Sequence, residues 1–408
     1  MTTTTVPHKH SSRIFLLSCL ALVVTAMTFA IRAGIVPELG KEFGLTNVQL
    51  GVIIGMAFWG FPAATVIGGF LYNTFGAKKL LWVAFICHTV GLVLTITANG
   101  YYGLIVSTFL VGFGNGAVEA ACNPLISDMY KDNKTTMLNK FHVWFPGGIV
   151  IGALVSYALN TMGFSWEYQI AVMLLPAAVY AAMLIGCEFP ELNKEIDTTS
   201  GNLQALLRPL FLFFFVVMTI TATTELGTQG WISEILAASG ATPMLILALI
   251  TGIMAVGRYF AGPLVHSLNP AGVLLGSSVL AFIGIFLLTQ VSGSMVYVAA
   301  VFFALGVTYF WPTMLGCVTE YMPKTGALGL SLVGGAGMAG VAIFNPIIGG
   351  WADDAKAQAI TNGATGTELT MASGQAILSN LMIFPLVLIV LFAGLYFFVK
   401  KSGIGKKA

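Results

Sequence analysis

The sequence predicts an all-α membrane protein of twelve transmembrane helices in two pseudo-symmetric six-helix bundles. Three observations carry this. Of 408 residues, 57% are hydrophobic and only 8% charged, against about 25% charged in a soluble domain, so lipid must be the solvent for most side chains. The apolar residues fall into twelve runs, each long enough to cross a bilayer, which takes about 20 residues. The loop Lys and Arg residues are sorted by side. Fourteen of them, from Lys9 and Arg13 to Lys406 and Lys407, lie on the side of the N-terminus, and only Lys41 and Lys356 lie on the other. By the positive-inside rule both termini are cytoplasmic, and an odd number of missed spans would destroy the bias.

The expected spans are 14–37, 46–74, 78–98, 101–128, 137–162, 166–188, 207–235, 242–267, 270–290, 294–320, 326–352 and 375–400. Residues 1–13 form a cytoplasmic tail. The apolar run after it is too long for a signal-peptide core and lacks a prompt cleavage site, so it stays as a helix. The first bundle is 14–188 and the second 207–400, joined by a cytoplasmic linker at 189–206 that is rich in Pro, Gly, Ser and charge. Residues 401–408 form a cytoplasmic tail. A second polar stretch, Asp353 to Gly374, is expected as an outer loop. The five cysteines, Cys19, Cys87, Cys122, Cys187 and Cys317, all lie in apolar runs without metal-ligand spacing. They read as packing thiols.

The halves echo each other. Gly69-Phe-Leu-Tyr-Asn-Thr-Phe-Gly-Ala-Lys between spans two and three returns 193 positions later as Gly262-Pro-Leu-Val-His-Ser-Leu-Asn-Pro-Ala. Asp128-Met-Tyr-Lys at the end of span four returns 192 positions later as Glu320-Tyr-Met-Pro-Lys. A duplicated six-helix unit across a central linker is the plan of a transporter whose halves rock around a midplane site.

The segment Gly69 to Lys78 resembles the signature of the major facilitator superfamily, G-x-L-[AS]-D-[RK]-[FY]-G-[RK]-[RK]. The glycines, Leu71, Phe75 and Lys78 match; Asn73 and Thr74 replace its Asp and first basic residue. Val118-Glu119-Ala120-Ala121-Cys122-Asn123-Pro124, with Leu138-Asn139, His142 and Gly148, is similar to the L-fucose–proton symporter family, as is the run Phe43 to Gly51. The resemblance implies the two-bundle fold, transport without a cofactor, H+ as coupling ion, and a coupling role for Glu119. The sequence departs from that family at Arg32 and Ala33, where an acid is usual, and at His142 and Phe145, so the substrate is not carried over. The superfamily Asp latches the halves on the cytoplasmic side, which puts a charge latch at Asn73 in question.

Charged groups inside a membrane span cost roughly 3 kcal/mol on insertion scales and therefore face a cavity or a partner. Four are singled out. Glu119 in span four is a candidate proton carrier; the alternative is a structural carboxyl paired with a neighbouring helix. Glu225 in span seven, with Thr224, Gln229 and Trp231, suggests a polar wall for a hydroxylated solute and a second proton-coupling acid, because Glu225 and Gln229 share a face. The alternative is a polar face packed on span eleven or an outer gate. Arg32 either snorkels to the outer headgroups or faces the cavity and binds a carboxylate. Arg258 in span eight reads as a gating ion-pair partner. Further substrate-binding candidates are Asn115, Asn123, Asn139, His142, Trp144, Tyr309, Trp311 and Asn345, with packing or lipid contact as the alternative for the aromatics. Asn73, Lys78, Asp128 and Glu320 are gating candidates at the cytoplasmic ends, where Asp128 and Glu320 are expected to pair with loop cations such as Lys78 or Lys324.

No phosphate-binding loop, nucleophile elbow or His-Glu-x-x-His motif occurs, so neither an ATP-driven pump nor an enzyme is expected, and no metal. A net charge of +2 gives no reason to invoke nucleic acid. The expected function is secondary active transport in a cell inner (plasma) membrane: proton-coupled symport of a sugar or related polyhydroxylated nutrient by alternating access. The alternatives are uptake of a small organic anion through Arg32 and Arg258, or drug–proton antiport. The expected partners are a small-molecule substrate and the lipid bilayer, with the protein a monomer.

Overall fold

The computed structural model describes residues 10–45, 47–190, 204–236, 238–241 and 243–404. Most of the expected linker, and residues 1–9 and 405–408 of the expected tails, lie outside these. The described residues fold into helices, with no strand among them. The first half holds α1 (Ser11–Glu42), α2 (47–75), α3 (77–96), α4 (Tyr101–Met129), α5 (Lys134–Thr161) and α6 (Trp166–Leu184). The second holds α7 (Pro209–Gly230), α8 (Pro243–Tyr259, continued over 261–268), α9 (270–290), α10 (Met295–Tyr321), α11 (Gly326–Thr361) and α12 (Thr367–Ser402). The start of α1 and the end of α12 lie on one face, called here the terminal face.

Two turns are tighter than the sequence suggested. α2 passes into α3 through one residue, Gly76 (φ 73°, ψ 165°), and α8 into α9 through Asn269 (φ 56°, ψ 165°). These residues stand at the 193-position offset of the sequence echo, so the duplicated unit turns with the same backbone geometry twice. A left-handed φ suits Gly and, among other residues, Asn. Asn269 also caps α9, its Oδ1 accepting from Gly272 N at 3.0 Å, with Pro270 at the first helical position.

The packing repeats as well. α3 meets α4 where Gly91 lies against Val111 and Gly114 against His88; α9 meets α10 where Gly284 lies against Phe303 and Gly306 against Ala281. Each second-half residue stands 192 or 193 positions after its counterpart. At these sites a methyl group would collide with the neighbouring helix: at Gly91, Gly284 and Gly306 with its backbone, and at Gly114 with the His88 ring, a closeness that small residues permit in membranes. Gly112 and Gly116 bring α4 onto Ala57 and Phe61 of α2 in the same way.

The outer polar stretch is a correction. α11 runs on through Asp353 to Thr361 and α12 starts at Thr367, leaving a short connection with left-handed Gly363 and Gly366. Its Ala-rich composition (Ala352, Ala355, Ala357, Ala359) is strongly helix-forming and continues the helix past the apolar run. The terminal end of α6 is closed by cations: Arg13 donates to Met183 O at 3.0 Å and Ile185 O at 2.9 Å, and Lys78 to Cys187 O at 2.7 Å. These satisfy carbonyls that a helix end leaves unpaired. Large apolar side chains such as Leu154, Leu175, Val390 and Phe397 point outward, a surface that only lipid covers at low cost.

The halves meet along the terminal part of their interface. Gly69 of α2 backs onto Ser331 of α11, Gly335 of α11 onto Thr65 and Pro62, and the Phe61 and Trp311 rings pack edge to face with centroids 6.5 Å apart. Replacing Gly116 by Val forces a branched side chain against the α2 backbone. The expected loss is about 1–3 kcal/mol, seen as a lower midpoint of thermal unfolding in detergent, whereas Gly394→Ala on α12, with open space around it, leaves the midpoint unchanged.

Candidate functional site

Between the halves the fold gathers the charges that the spans carry. Glu119 from α4, His142 and Phe145 from α5, Glu225 and Leu226 from α7, Arg258 from α8, Trp311 from α10 and Met338 from α11 line one small cavity. Five of the residues singled out in the sequence meet here, from both bundles.

Each is held by a local device. Glu225 sits in a π-helical turn of α7, Thr223–Gly227, a widened turn that often marks functional sites. It accepts from Arg258 Nη2 at 2.9 Å through Oε1, and both side chains are buried. Its Oε2 has no hydrogen-bond partner among the described residues. Arg258 is fully engaged: Nε donates to Thr308 O at 2.6 Å and Nη1 to His142 O at 3.1 Å. One turn along the same faces, Gln229 Nε2 reaches Met254 Sδ at 3.3 Å. Glu225 and Gln229 therefore share a face as expected, but it is turned to α8.

Glu119 has a different environment. Its Oε2 accepts from Asn123 Nδ2, and His142 Nε2 stands 3.8 Å away. His142 Nε2 lies 3.1 Å from Asn123 Oδ1, so with the amide so oriented that nitrogen carries a hydrogen and donates. Asn123, one turn from Glu119 on α4, thus bridges that acid to the imidazole on α5. Arg258 is bonded to Glu225, so the cavity holds one guanidinium for two carboxyls.

The other sequence candidates go elsewhere. Asn115 is not brought to the cavity. It belongs to a chain inside the first bundle, in which Tyr180 OH lies 3.3 Å from His88 Nδ1, His88 Nε2 2.9 Å from Asn115 Oδ1, and Asn115 Nδ2 donates to Thr28 Oγ1 at 3.0 Å. That chain ties α6, α3, α4 and α1 together; the sequence reading missed His88, which one apolar run gives no reason to single out. Thr224 returns its hydroxyl to Ile220 O. Trp231 Nε1 donates to Asn345 Oδ1 at 3.2 Å, joining α7 to α11, and Tyr309 OH donates to Gly257 O at 3.0 Å, bracing α10 on α8. Trp144 is 38% exposed and does not line the cavity, while its neighbour Phe145 does. Arg32 is 6% exposed, which excludes a headgroup-snorkelling side chain, and neither Nη finds a partner among the described residues.

On the terminal face, Glu320 accepts from Thr135 N at 3.3 Å and from Thr135 Oγ1, and Lys134 Nζ donates to Thr319 O at 3.4 Å. Asn139 Nδ2 reaches Thr313 Oγ1 at 3.3 Å. These bonds stitch α5 to α10 across the halves. Asn73 and Asp128 line a second cavity beside Lys134. Glu320 thus takes the amino end of α5, and Lys78 caps α6 within its own half; Lys78 reaches a carbonyl where a carboxylate partner was expected.

Residues 18–329 match the model of a family described as Major Facilitator Superfamily. A facilitated glucose transporter of solute carrier family 2, member 10, from Danio rerio is 23% identical over 170 residues, 41% of this chain and 33% of that one. The chain spans about a third of the length of the first curated relatives it matches. Among solved structures, the transporter FucP in its outward conformation aligns with a TM-score of 0.70 at 17% identity, over 92% of this chain and 98% of that one. The human organic anion transporter MFSD10 aligns with a TM-score of 0.70 at 12% identity, over 93% and 99%.

Removing one partner of a buried ion pair strands the other charge, at a cost of about 3–5 kcal/mol. Glu225→Gln is therefore expected to lower the unfolding midpoint in detergent sharply, and Glu225→Gln with Arg258→Gln to recover much of the loss. Equal stability of Glu225→Gln and wild type would mean that the pair does not form.

Proposed function

Since this chain belongs to the Major Facilitator Superfamily of membrane transporters, we propose that it is a proton-coupled symporter that takes up a sugar or related polyhydroxylated nutrient by alternating access. One observation carries the reading: two buried carboxyls share a cavity with one guanidinium, and that guanidinium is bonded to Glu225 at 2.9 Å. Uncompensated charge in a dry interior is costly. The cluster is neutral when the Glu119–His142 pair holds one proton beyond its carboxylate and neutral-imidazole form, whichever of the two carries it, so the pair titrates as a unit. Loading that proton makes movement through an occluded state with the solute cheap, and the proton is released on the other side.

In this reading the terminal face is cytoplasmic, as the Lys and Arg distribution implies, and the membrane is the inner (plasma) membrane. The halves are joined at that face by Thr135, Asn139 and Lys134 with their partners on α10, the arrangement that receives proton and solute from outside. The free Glu225 Oε2 and Trp311 offer an acceptor and an aromatic ring to a hydroxylated solute. The glucose-transporter name of a relative favours the same substrate class. The charged lining disfavours a hydrophobic drug. Arg32, buried with both Nη atoms unpartnered, favours a second reading in which the solute carries a carboxylate.

A panel of neutral sugars, sugar acids, amino sugars, small carboxylates and drugs, at acid and neutral pH, separates these. A ligand of the native state raises the unfolding midpoint with concentration, and neutral sugars are expected to do so. Stabilisation by carboxylates alone, lost in Arg32→Gln, would move the site to the second reading. In vesicles, Glu119→Gln is expected to abolish uphill accumulation and proton uptake while keeping solute exchange down a gradient. Uphill accumulation with proton uptake in that variant would end the coupling role of Glu119.

A further inference from the structure

Two of the three acceptors of Arg258 are main-chain carbonyls within helices, where a carbonyl ordinarily belongs to the amide four residues on. The sequence explains why these two are free. Pro146 stands four residues after His142, and Pro312 four after Thr308; proline has no N–H to give. Helical bonds run up to each break and resume after it. In α5, Val143 N donates to Asn139 O at 3.1 Å and Gly147 N to Val143 O at 3.0 Å; in α10, Thr308 N donates to Ala304 O at 3.0 Å and Thr313 N to Tyr309 O at 3.1 Å. The regular helix is interrupted at 143 in α5 and at 308–309 in α10, and Arg258 takes the proline-freed carbonyl in each break, with Nη1 on His142 O and Nε on Thr308 O.

We propose that Pro146 and Pro312 are positioning residues for Arg258: each withholds one amide, so that the guanidinium clasps α5 of one half to α8 and α10 of the other while Glu225 takes its remaining edge. Kinking α5 and α10 is then the lesser effect of the two prolines. The bond to His142 O crosses between the halves, and the bond to Thr308 O stays within the second half. Opening the terminal face must break the first and leave the His142 carbonyl without any helical amide to take it. His142 is also the residue whose ring faces Asn123 and Glu119, so the clasp and the proposed proton site share one side chain and its own carbonyl. The inference rests on the alternating movement proposed above and not on the identity of the solute.

The test reads opening of the terminal face directly. Ser331 packs between the halves against Gly69, so Ser331→Cys is labelled by a membrane-impermeant maleimide only as the halves part; inside-out vesicles present this face to the reagent. With Pro146→Ala, the new amide reclaims His142 O, the clasp loses one charge-assisted hydrogen bond, and labelling is expected to rise about tenfold. Pro312→Ala is expected to give a smaller rise. Arg258→Met raises labelling too, and Pro146→Ala added to it gives no further rise, because both remove the same bond. Labelling of Pro146→Ala at the wild-type rate, or effects that multiply in the double variant as for a proline that only bends α5, would overturn the proposal. The α-hydroxy analogue of alanine at position 146 lacks both ring and N–H, and is expected to label like wild type; labelling like Pro146→Ala would likewise overturn it. None of these readouts uses the solute, so a failed substrate panel leaves the result standing.

Discussion

The Arg258–Glu225 pair, closed at 2.9 Å with both side chains shut off from solvent, sets the terms on which the rest of the centre is built. A guanidinium in a dry interior needs its donors satisfied on every side, and no single helix can do that. α8 supplies the cation, α7 the carboxylate from a widened turn, and α5 and α10 one carbonyl each. Four helices from two halves are thus organised by one side chain. With Arg258 so engaged, Glu119 is left to an amide and an imidazole, and the difference between the two acids follows from partnership, since their depth is alike.

The two kinds of polar network in this chain divide by where they lie. The chain from Tyr180 through His88 and Asn115 to Thr28 stays within one bundle and links four of its helices. Such a network fixes the bundle against itself. The bonds from Thr135 to Glu320, Asn139 to Thr313 and Arg258 to His142 O span the two bundles. They are the ones that the proposed alternating movement would have to break and remake. Polar groups of similar chemistry therefore serve rigidity or movement according to whether their partner shares their bundle.

The sequence disclosed the expensive features and hid the cheap ones. Glu119, Glu225 and Arg258 stand out because charge inside an apolar run requires a partner, whichever helix supplies it. The helix count and the duplication were legible for the same reason: hydropathy and loop charge are local properties. Asn115 and Thr224 bond to their own bundle or their own backbone, because an amide or hydroxyl in a span is as well served there as by a solute, and the sequence does not tell which. Lys78 matched a signature whose usual carboxylate is Asn73 here, yet its ammonium went to Cys187 O at the end of α6, a partner more than a hundred positions away. The outer end of α11 was read as a loop because polarity was taken for irregularity, although alanines continue a helix past the edge of the bilayer.

The close glycine contacts at Gly91, Gly284 and Gly306 have a mechanical consequence. Where two helices touch backbone to backbone, no long side chain lies between them to change rotamer and absorb a displacement. Each six-helix half is then a stiff body, and work done on it at the centre emerges as rotation of the whole. For the proposed symport, stiff arms and one joint mean little slip: a proton that binds without cargo would find no soft internal motion through which to leak across, and the ratio of ions to cargo moved would be set by geometry.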